Sequence, residues 1–437
     1  EEMFMYRYLS HLIIYSDRSE SSILYEMGEL FRNYDNGVKE KSELVKDAYN
    51  IVRKILDIST AYAFDENLWT SYLTYYLINS ENSFSASCER RGAIEGSVNS
   101  FAKHDFEIFM KLFRFDFSEI ERELGTDCFS ILCDYKAVEK PSLMYNPYVM
   151  KSVRELRVQL ENAEDPDEFF TVVSDFYREY GAGIFGVNRA FRISDREDIL
   201  EFEPVKSMDD VVLEDLVGYE VQKQRLLENT KAFVDGKPAN NVLLYGDRGT
   251  GKSTSIKAVA NRFWPDGLRV IQVYRHQMKM LSRIISAIRT RNYRFIIYMD
   301  DLSFEDFETE YKYLKAVIEG GLESKAENIL IYATSNRRHL IKETWDDRND
   351  MEHTGELHRG DSMEEKLSLA DRFGVQIYYG KPSKDEFYRI IDELSESERV
   401  AMDKEQLHRE ANAWQIRHGD VSGRCARQFV DYIKGKV

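Results

Sequence analysis

Between Ser42 and Leu56 the apolar positions 44, 45, 48, 51, 52 and 55 recur at the spacing of one helix face, which predicts an amphipathic helix. Similar patterns near 3–15, 67–78, 105–123, 148–162 and 167–180 predict an all-helical domain over residues 1–181, rich in Tyr and Phe. Aromatic side chains at this spacing are read as helix-packing core in preference to a partner surface. Between 182 and 216 the helical period stops. There the segment Gly183 to Ile193 alternates enough to predict a short strand ahead of an acidic connector. From 217 onward short apolar runs alternate with helical segments: Val242–Tyr245, Leu268–Val273, Phe295–Met299, Ile329–Tyr332 and Val375–Tyr379. Uninterrupted apolar runs between helices mark parallel strands buried on both faces, so residues 217–380 are expected to form a five-stranded parallel α/β core. Helical spacing returns over 381–437, as a small lid of about three helices.

Composition sharpens this picture. At roughly 100–200 residues per domain, a chain of this length holds two to four domains, and 43% hydrophobic with 31% charged residues describes a folded chain. The net charge of −17 argues against general affinity for phosphate backbones. That charge is uneven: residues 1–200 carry 23 basic against 36 acidic residues, and 201–437 carry 37 against 41. Cys88, Cys128, Cys133 and Cys425 include no C-x-x-C and no zinc-finger spacing, which predicts a reducing, cytoplasmic setting. His353 and His358, in a polar insert over 342–366, stand at no ligand spacing and are assigned no metal. No apolar run approaches the length of about 18 residues that a membrane-spanning helix needs, and the acidic start is unlike a secretory leader.

The chemistry is concentrated in Gly246-Asp247-Arg248-Gly249-Thr250-Gly251-Lys252-Ser253, a full G-x-x-x-x-G-K-[ST] match between a strand and a helix. Such a loop wraps a polyphosphate with its N–H groups pointing inward, and glycines allow the close approach. The helix N-terminus that follows favours the same anion. ATP or ADP with Mg²⁺ is the expected ligand, held by residues 246–253 and by Thr254 on the helix. Lys252 is expected to reach the β- and γ-phosphates and Ser253 to ligate Mg²⁺. The strand 295–299 ends in Asp300 and Asp301. Asp300 is positioned to hold the metal through water, while Asp301 or Glu305 is the base that orients the attacking water.

Further along lie Ala333-Thr334-Ser335-Asn336-Arg337-Arg338, Ala370-Asp371-Arg372-Phe373-Gly374 before the fifth strand, and Ser422-Gly423-Arg424-Cys425-Ala426-Arg427 in the lid. Together with the phosphate loop these resemble the AAA+ superfamily of P-loop ATPases. Closer detail, including Gly236-Lys237-Pro238-Ala239-Asn240-Asn241 and Asp300-Asp301-Leu302-Ser303-Phe304-Glu305, is similar to a bacterial AAA+ family catalogued only as a domain of unknown function. The resemblance covers about 180–437 and implies a sheet order of 5-1-4-3-2. It implies that Asn336 is the first sensor, Arg372 an arginine finger reaching a neighbouring subunit, and Arg424 the second sensor with Arg427 as runner-up. Val217, Gly218 and Tyr219 match the segment lying against adenine.

Three roles follow for such an ATPase. A threading unfoldase is disfavoured, because the interval His276 to Arg294 contains no glycine and its stretch 276–285 predicts a plain helix where a pore loop would stand. A nucleic-acid loader is disfavoured by the charge balance. A nucleotide-gated switch or assembly factor is preferred, self-associating through the arginine finger and meeting an unknown protein partner through its helical N-terminal domain.

Overall fold

The structure, a computed structural model, describes residues 5–17, 19, 22–91, 96–137, 147–194, 199–205, 208–303, 310–319, 326–336, 369–419 and 421–436. The chain divides into two compact units, 1–188 and 189–437.

Among its described residues the first unit is helical throughout: α1 (Met5–Ser10), α2 (Ile23–Asp35), α3 (Lys41–Tyr62), α4 (Leu68–Asn79), α5 (Ser83–Arg91), α6 (Ser97–Phe113), α7 (Ser118–Leu124), α8 (Cys128–Cys133), α9 (Pro147–Asn162), α10 (Pro166–Tyr180) and α11 (Ile184–Val187). Helix α4 is apolar on nearly every side and lies at the centre, with Leu68, Trp69, Leu73, Leu77 and Ile78 buried. Its Trp69 indole donates to the Leu112 carbonyl at 2.8 Å and meets Phe117 edge-on, so the aromatics fill the core as the spacing suggested. Two expected helices end early for visible reasons. The amides of Ile13, Ile14 and Tyr15 donate to the fully buried Asp105 carboxylate at 2.7–3.1 Å, which takes them out of any helical ladder beyond Ser10. The expected helix over 105–123 splits into α6 and α7, because Asp116 accepts the amide and hydroxyl of Ser118 and starts a new turn.

The strand expected over 183–193 is a correction of the same kind. Residues 184–187 form the short α11 and pack with the first unit, while strand β1 covers only Ala190–Ile193.

Among the described residues the second unit is built on one sheet of seven strands rather than five: β1, β2 (Phe202–Pro204), β3 (Val242–Gly246), β4 (Leu268–Gln272), β5 (Arg294–Met299), β6 (Ile329–Ser335) and β7 (Val375–Tyr379). The order is β2-β1-β4-β5-β6-β3-β7, and every pairing is parallel except β1 with β2. Of the two further strands, β1 lies at the end of the alternating segment 183–193, whereas β2, three residues long, is too short for its alternation to stand out from a loop. Helices α12 (Glu220–Val234) and α13 (Lys252–Phe263) pack on the face that presents Val242, Leu244, Ile296, Leu330 and Ile377. The interval expected to be one plain helix is a 3₁₀ turn, Arg275–Met280, running into α14 (Leu281–Ile288). Helix α15 (Tyr311–Glu319) precedes β6.

After β7 the chain forms α16 (Lys384–Ser397), α17 (Lys404–His418) and α18 (Gly423–Lys434), which share a small core of Phe387, Ile391, Leu407, Phe429 and Val430. Ser383 caps α16 by accepting the Glu386 amide while Glu386 accepts the Ser383 amide. No described helix is long and apolar enough to cross a membrane.

Candidate nucleotide-binding site

The C-terminal ends of β3, β5 and β6 lie side by side, and the phosphate loop starts where β3 stops. Gly246 has φ +130°, and a Cβ there would run into the Tyr379 carbonyl oxygen. Gly251, with φ +90°, comes directly before α13, and a Cβ on it would strike Leu216. Both positions need glycine for conformation and for space. The Thr250 hydroxyl donates to the Asp247 carbonyl at 2.8 Å and closes the loop on itself. The loop thereby delivers the chain into the N-terminus of a twelve-residue helix, the end that favours an anion.

A cleft of about 700 Å³ opens over this loop. Lys252, only 6% exposed, donates to the carbonyls of Gly246 at 3.0 Å and Asp247 at 2.5 Å and to Asn336 Oδ1 at 3.2 Å. Burial depresses the pKa of this ammonium below its usual range, against the opposing pull of Asp247, Asp301 and Asp300. On the facing wall Asp300 Oδ1 accepts the hydroxyls of Ser253 at 2.7 Å and Thr334 at 2.6 Å. Burial would raise the carboxyl pKa, but hydrogen bonds from Thr334 and Ser253 hold it below the ordinary value. Asp301, at φ +51°, accepts Asn336 Nδ2 at 2.5 Å. Asn336 therefore bridges the loop lysine and the second acid.

Most of the residues expected in the site meet here. Val217, Tyr219, Arg248, Gly249, Thr250, Gly251, Lys252, Ser253, Thr254, Asp300, Asp301, Asn336, Arg424 and Arg427 line the cleft. Gly218, Gly246 and Asp247 do not line it. Gly218 has φ +80° between Val217 and Tyr219, and the Asp247 carboxylate turns outward to accept the Lys381 amide at 3.0 Å. Arg427 is paired with Glu398 at 3.0 Å, whereas the Arg424 amide donates to the Gly249 carbonyl at 3.2 Å. Arg372 is not in the cleft wall and forms an ion pair with Glu319 at the end of α15. Glu305, Arg337, Arg338, His353 and His358 lie outside the described residues. Among the described residues no cluster of His, Cys, Asp and Glu has the makings of a separate metal centre.

Sequence reasoning passed over Thr334, Ile390, Leu394 and Gln428, all of which line the same cleft. The last three belong to α16 and α18, and their arrival depends on how that helical layer folds back. Thr334 had a local signal, the first polar residue after the apolar run 329–333, but its partner is set only by strand register.

The donor set suits a magnesium nucleotide. A hydroxyl and a carboxylate meet beside a buried ammonium at a helix N-terminus, with hard oxygen ligands for a hard cation. A family model described as a protein of unknown function (DUF815) matches residues 187–437. No curated protein matches the chain. Among solved structures the chain is similar to RuvB of Thermotoga maritima. Against one single-residue variant the identity is 17%, over 50% of this chain and 63% of that chain, at a TM-score of 0.35. Against the RuvB Holliday junction branch migration motor the figures are 14%, 51%, 71% and 0.32. The chain thus spans less than two thirds of the first of these neighbours.

Proposed function

The chain belongs to the DUF815 family, and from that premise we propose that its second unit is an AAA+ ATPase, binding and hydrolysing ATP with Mg²⁺ and acting as a nucleotide-gated switch or assembly factor on a partner protein. The observation that carries this reading is the convergence of Lys252, Ser253, Asp300, Asp301 and Asn336 on one cleft above the phosphate loop.

In this reading Lys252 exchanges its loop carbonyls for the β- and γ-phosphates, and the first-turn amides of α13 receive the polyphosphate. Ser253 and Asp300 hold the magnesium ion, which when bound neutralises phosphate charge. Asp301 orients the attacking water, with Asn336 fixing its carboxylate, and Glu305 is the competing candidate for that role. Val217, Gly218 and Tyr219 flank the base, and Tyr219 is itself braced by stacking on Tyr379 and by donating to the Gly380 carbonyl at 2.8 Å. Arg424 acts from the lid as second sensor, and Arg372 as a finger for a neighbouring subunit.

Gating is supported by a tie between the phosphate loop and the chain leading into the helical layer. The segment between β7 and α16 is tied to the phosphate loop, since Asp247 donates its amide to Tyr379 and accepts the Lys381 amide on its carboxylate. Movement of the loop on binding would therefore be felt by α16–α18, which serve as the lid. The helical N-terminal unit is assigned the partner or oligomerisation role, and the expected setting is cytoplasmic. A pull-down with Asp301→Asn in ATP tests the switch. A client retained in ATP and released in ADP supports it, and equal capture in both nucleotides counts against it.

One observation favours a second reading, a nucleic-acid loader. Residues 267–299 contain seven Arg or Lys and no Asp or Glu, and Arg275, Lys279 and Arg283 are exposed at four-residue spacing. Fluorescence anisotropy with labelled single- and double-stranded DNA across a salt series separates the two, because phosphate-driven binding weakens steeply as salt rises.

A further inference from the structure

Thr334 is 2% exposed, near the end of a strand buried along its whole length. A hydroxyl in such a place costs free energy unless it is hydrogen-bonded. Three bonds of this residue go to one short stretch of chain. The register of β5 and β6 sets Met299 opposite Ala333, so Asp300 comes level with Thr334. Thr334 Oγ1 donates to Asp300 Oδ1 at 2.6 Å and accepts the Asp301 amide at 2.9 Å, while the Thr334 carbonyl accepts the Leu302 amide at 2.7 Å. One residue grips three in succession.

The gripped stretch includes a strained backbone position. Asp301 has φ +51°, a left-handed conformation that costs a non-glycine residue free energy unless its surroundings hold it. The same hydroxyl also acts on the neighbouring carboxylate. Asp300 Oδ1 accepts both Ser253 and Thr334, and two hydroxyls on one oxygen restrain the rotation of the group.

We propose that Thr334 is a positioning residue for the metal site, its hydroxyl orienting the Asp300 carboxylate for magnesium and holding Asp301 in its left-handed turn. The inference rests on the reading of this cleft as a magnesium-nucleotide site. Ser253 alone leaves the Asp300 carboxylate free to pivot. Supporting groups of this kind act on a metal by orienting its ligands.

The test uses the full chain and fluorescent mant-ATP, titrated first in EDTA and then against Mg²⁺, with phosphate release measured alongside. Thr334→Val keeps the branched shape and removes the hydroxyl, whereas Thr334→Ser keeps the hydroxyl. The expected result for Thr334→Val is affinity in EDTA within about twofold of wild type and a Mg²⁺ midpoint raised about tenfold, equivalent to ~1.4 kcal/mol. Thr334→Ser should stay within about twofold of wild type on both counts. Should Thr334→Val fail to fold, Thr334→Ala beside Thr334→Ser isolates the hydroxyl, since both lack the methyl group. An unshifted Mg²⁺ midpoint in Thr334→Val, or equal shifts in the serine and alanine variants, overturns the inference. Absence of any mant-ATP binding by wild type fails the nucleotide reading itself, and is told apart by that control.

Discussion

Replacing Lys252 with methionine keeps most of the side-chain stem and removes only the ammonium. In the structure that ammonium makes three hydrogen bonds, to Gly246 O, Asp247 O and Asn336 Oδ1, at a position 6% exposed. Bonds from a charged group are worth roughly 1.5–3 kcal/mol each, but burial already penalises the charge, as its lowered pKa indicates. The two effects oppose one another, so the variant should unfold within about 2 kcal/mol of wild type. Nucleotide affinity should fall further. Charge-assisted bonds to phosphate are worth roughly 1.5–3 kcal/mol each, and Lys252 must give up its three existing partners to make them, which argues for a loss of about 2–3 kcal/mol. At 1.4 kcal/mol per decade this is roughly a 30- to 150-fold rise in Kd. Mant-ATP titration measures it, with urea unfolding as the stability control. Affinity unchanged in a variant that still folds would show that the phosphate loop is not where nucleotide binds.

Arg372→Ala should leave mant-ATP affinity near normal and cost little stability, because its pair with Glu319 is partly exposed and such pairs are worth about 0–1 kcal/mol. Its turnover should drop by about 10³–10⁵, and mixing it with Lys252→Met protein should restore part of the rate; no recovery from demonstrably mixed oligomers would place Arg372 in its own subunit. Ser383→Ala removes the cap of α16 and should destabilise the second unit by about 0.5–2 kcal/mol in urea unfolding, while an unchanged midpoint would mean the cap carries no stability. A fragment of residues 189–437 should fold and bind mant-ATP with the affinity of the full chain, and a fragment that cannot bind would show that the ATPase needs the first unit.

The parts of this protein legible from sequence are those whose signal is local. The phosphate loop announces itself because glycine is demanded at Gly246 and Gly251 by backbone conformation and close approach, and the strands β3, β5 and β6 because burial on both faces leaves mostly apolar residues. What escaped depends on residues distant in the chain. Helix α1 stops at Ser10 because Asp105, some ninety positions on, takes the amides of 13–15. Strand β2 exists through its antiparallel pairing with β1, not through length. Thr334 matters because parallel register sets it beside Asp300, a relation no periodicity carries. Ile390 and Leu394 reach the cleft only because α16 folds back over it.

The central claim is that this cleft turns over ATP, and phosphate release by the purified full chain in saturating ATP tests it most directly. The arrangement of Ser253, Asp300, Asp301 and Asn336 predicts release that requires Mg²⁺, stops in EDTA, and falls to background in Asp301→Asn although that variant still binds mant-ATP. If Glu305→Gln abolishes release while Asp301→Asn does not, the base is Glu305. No Mg²⁺-dependent release from oligomeric wild-type protein saturated with nucleotide would contradict the account.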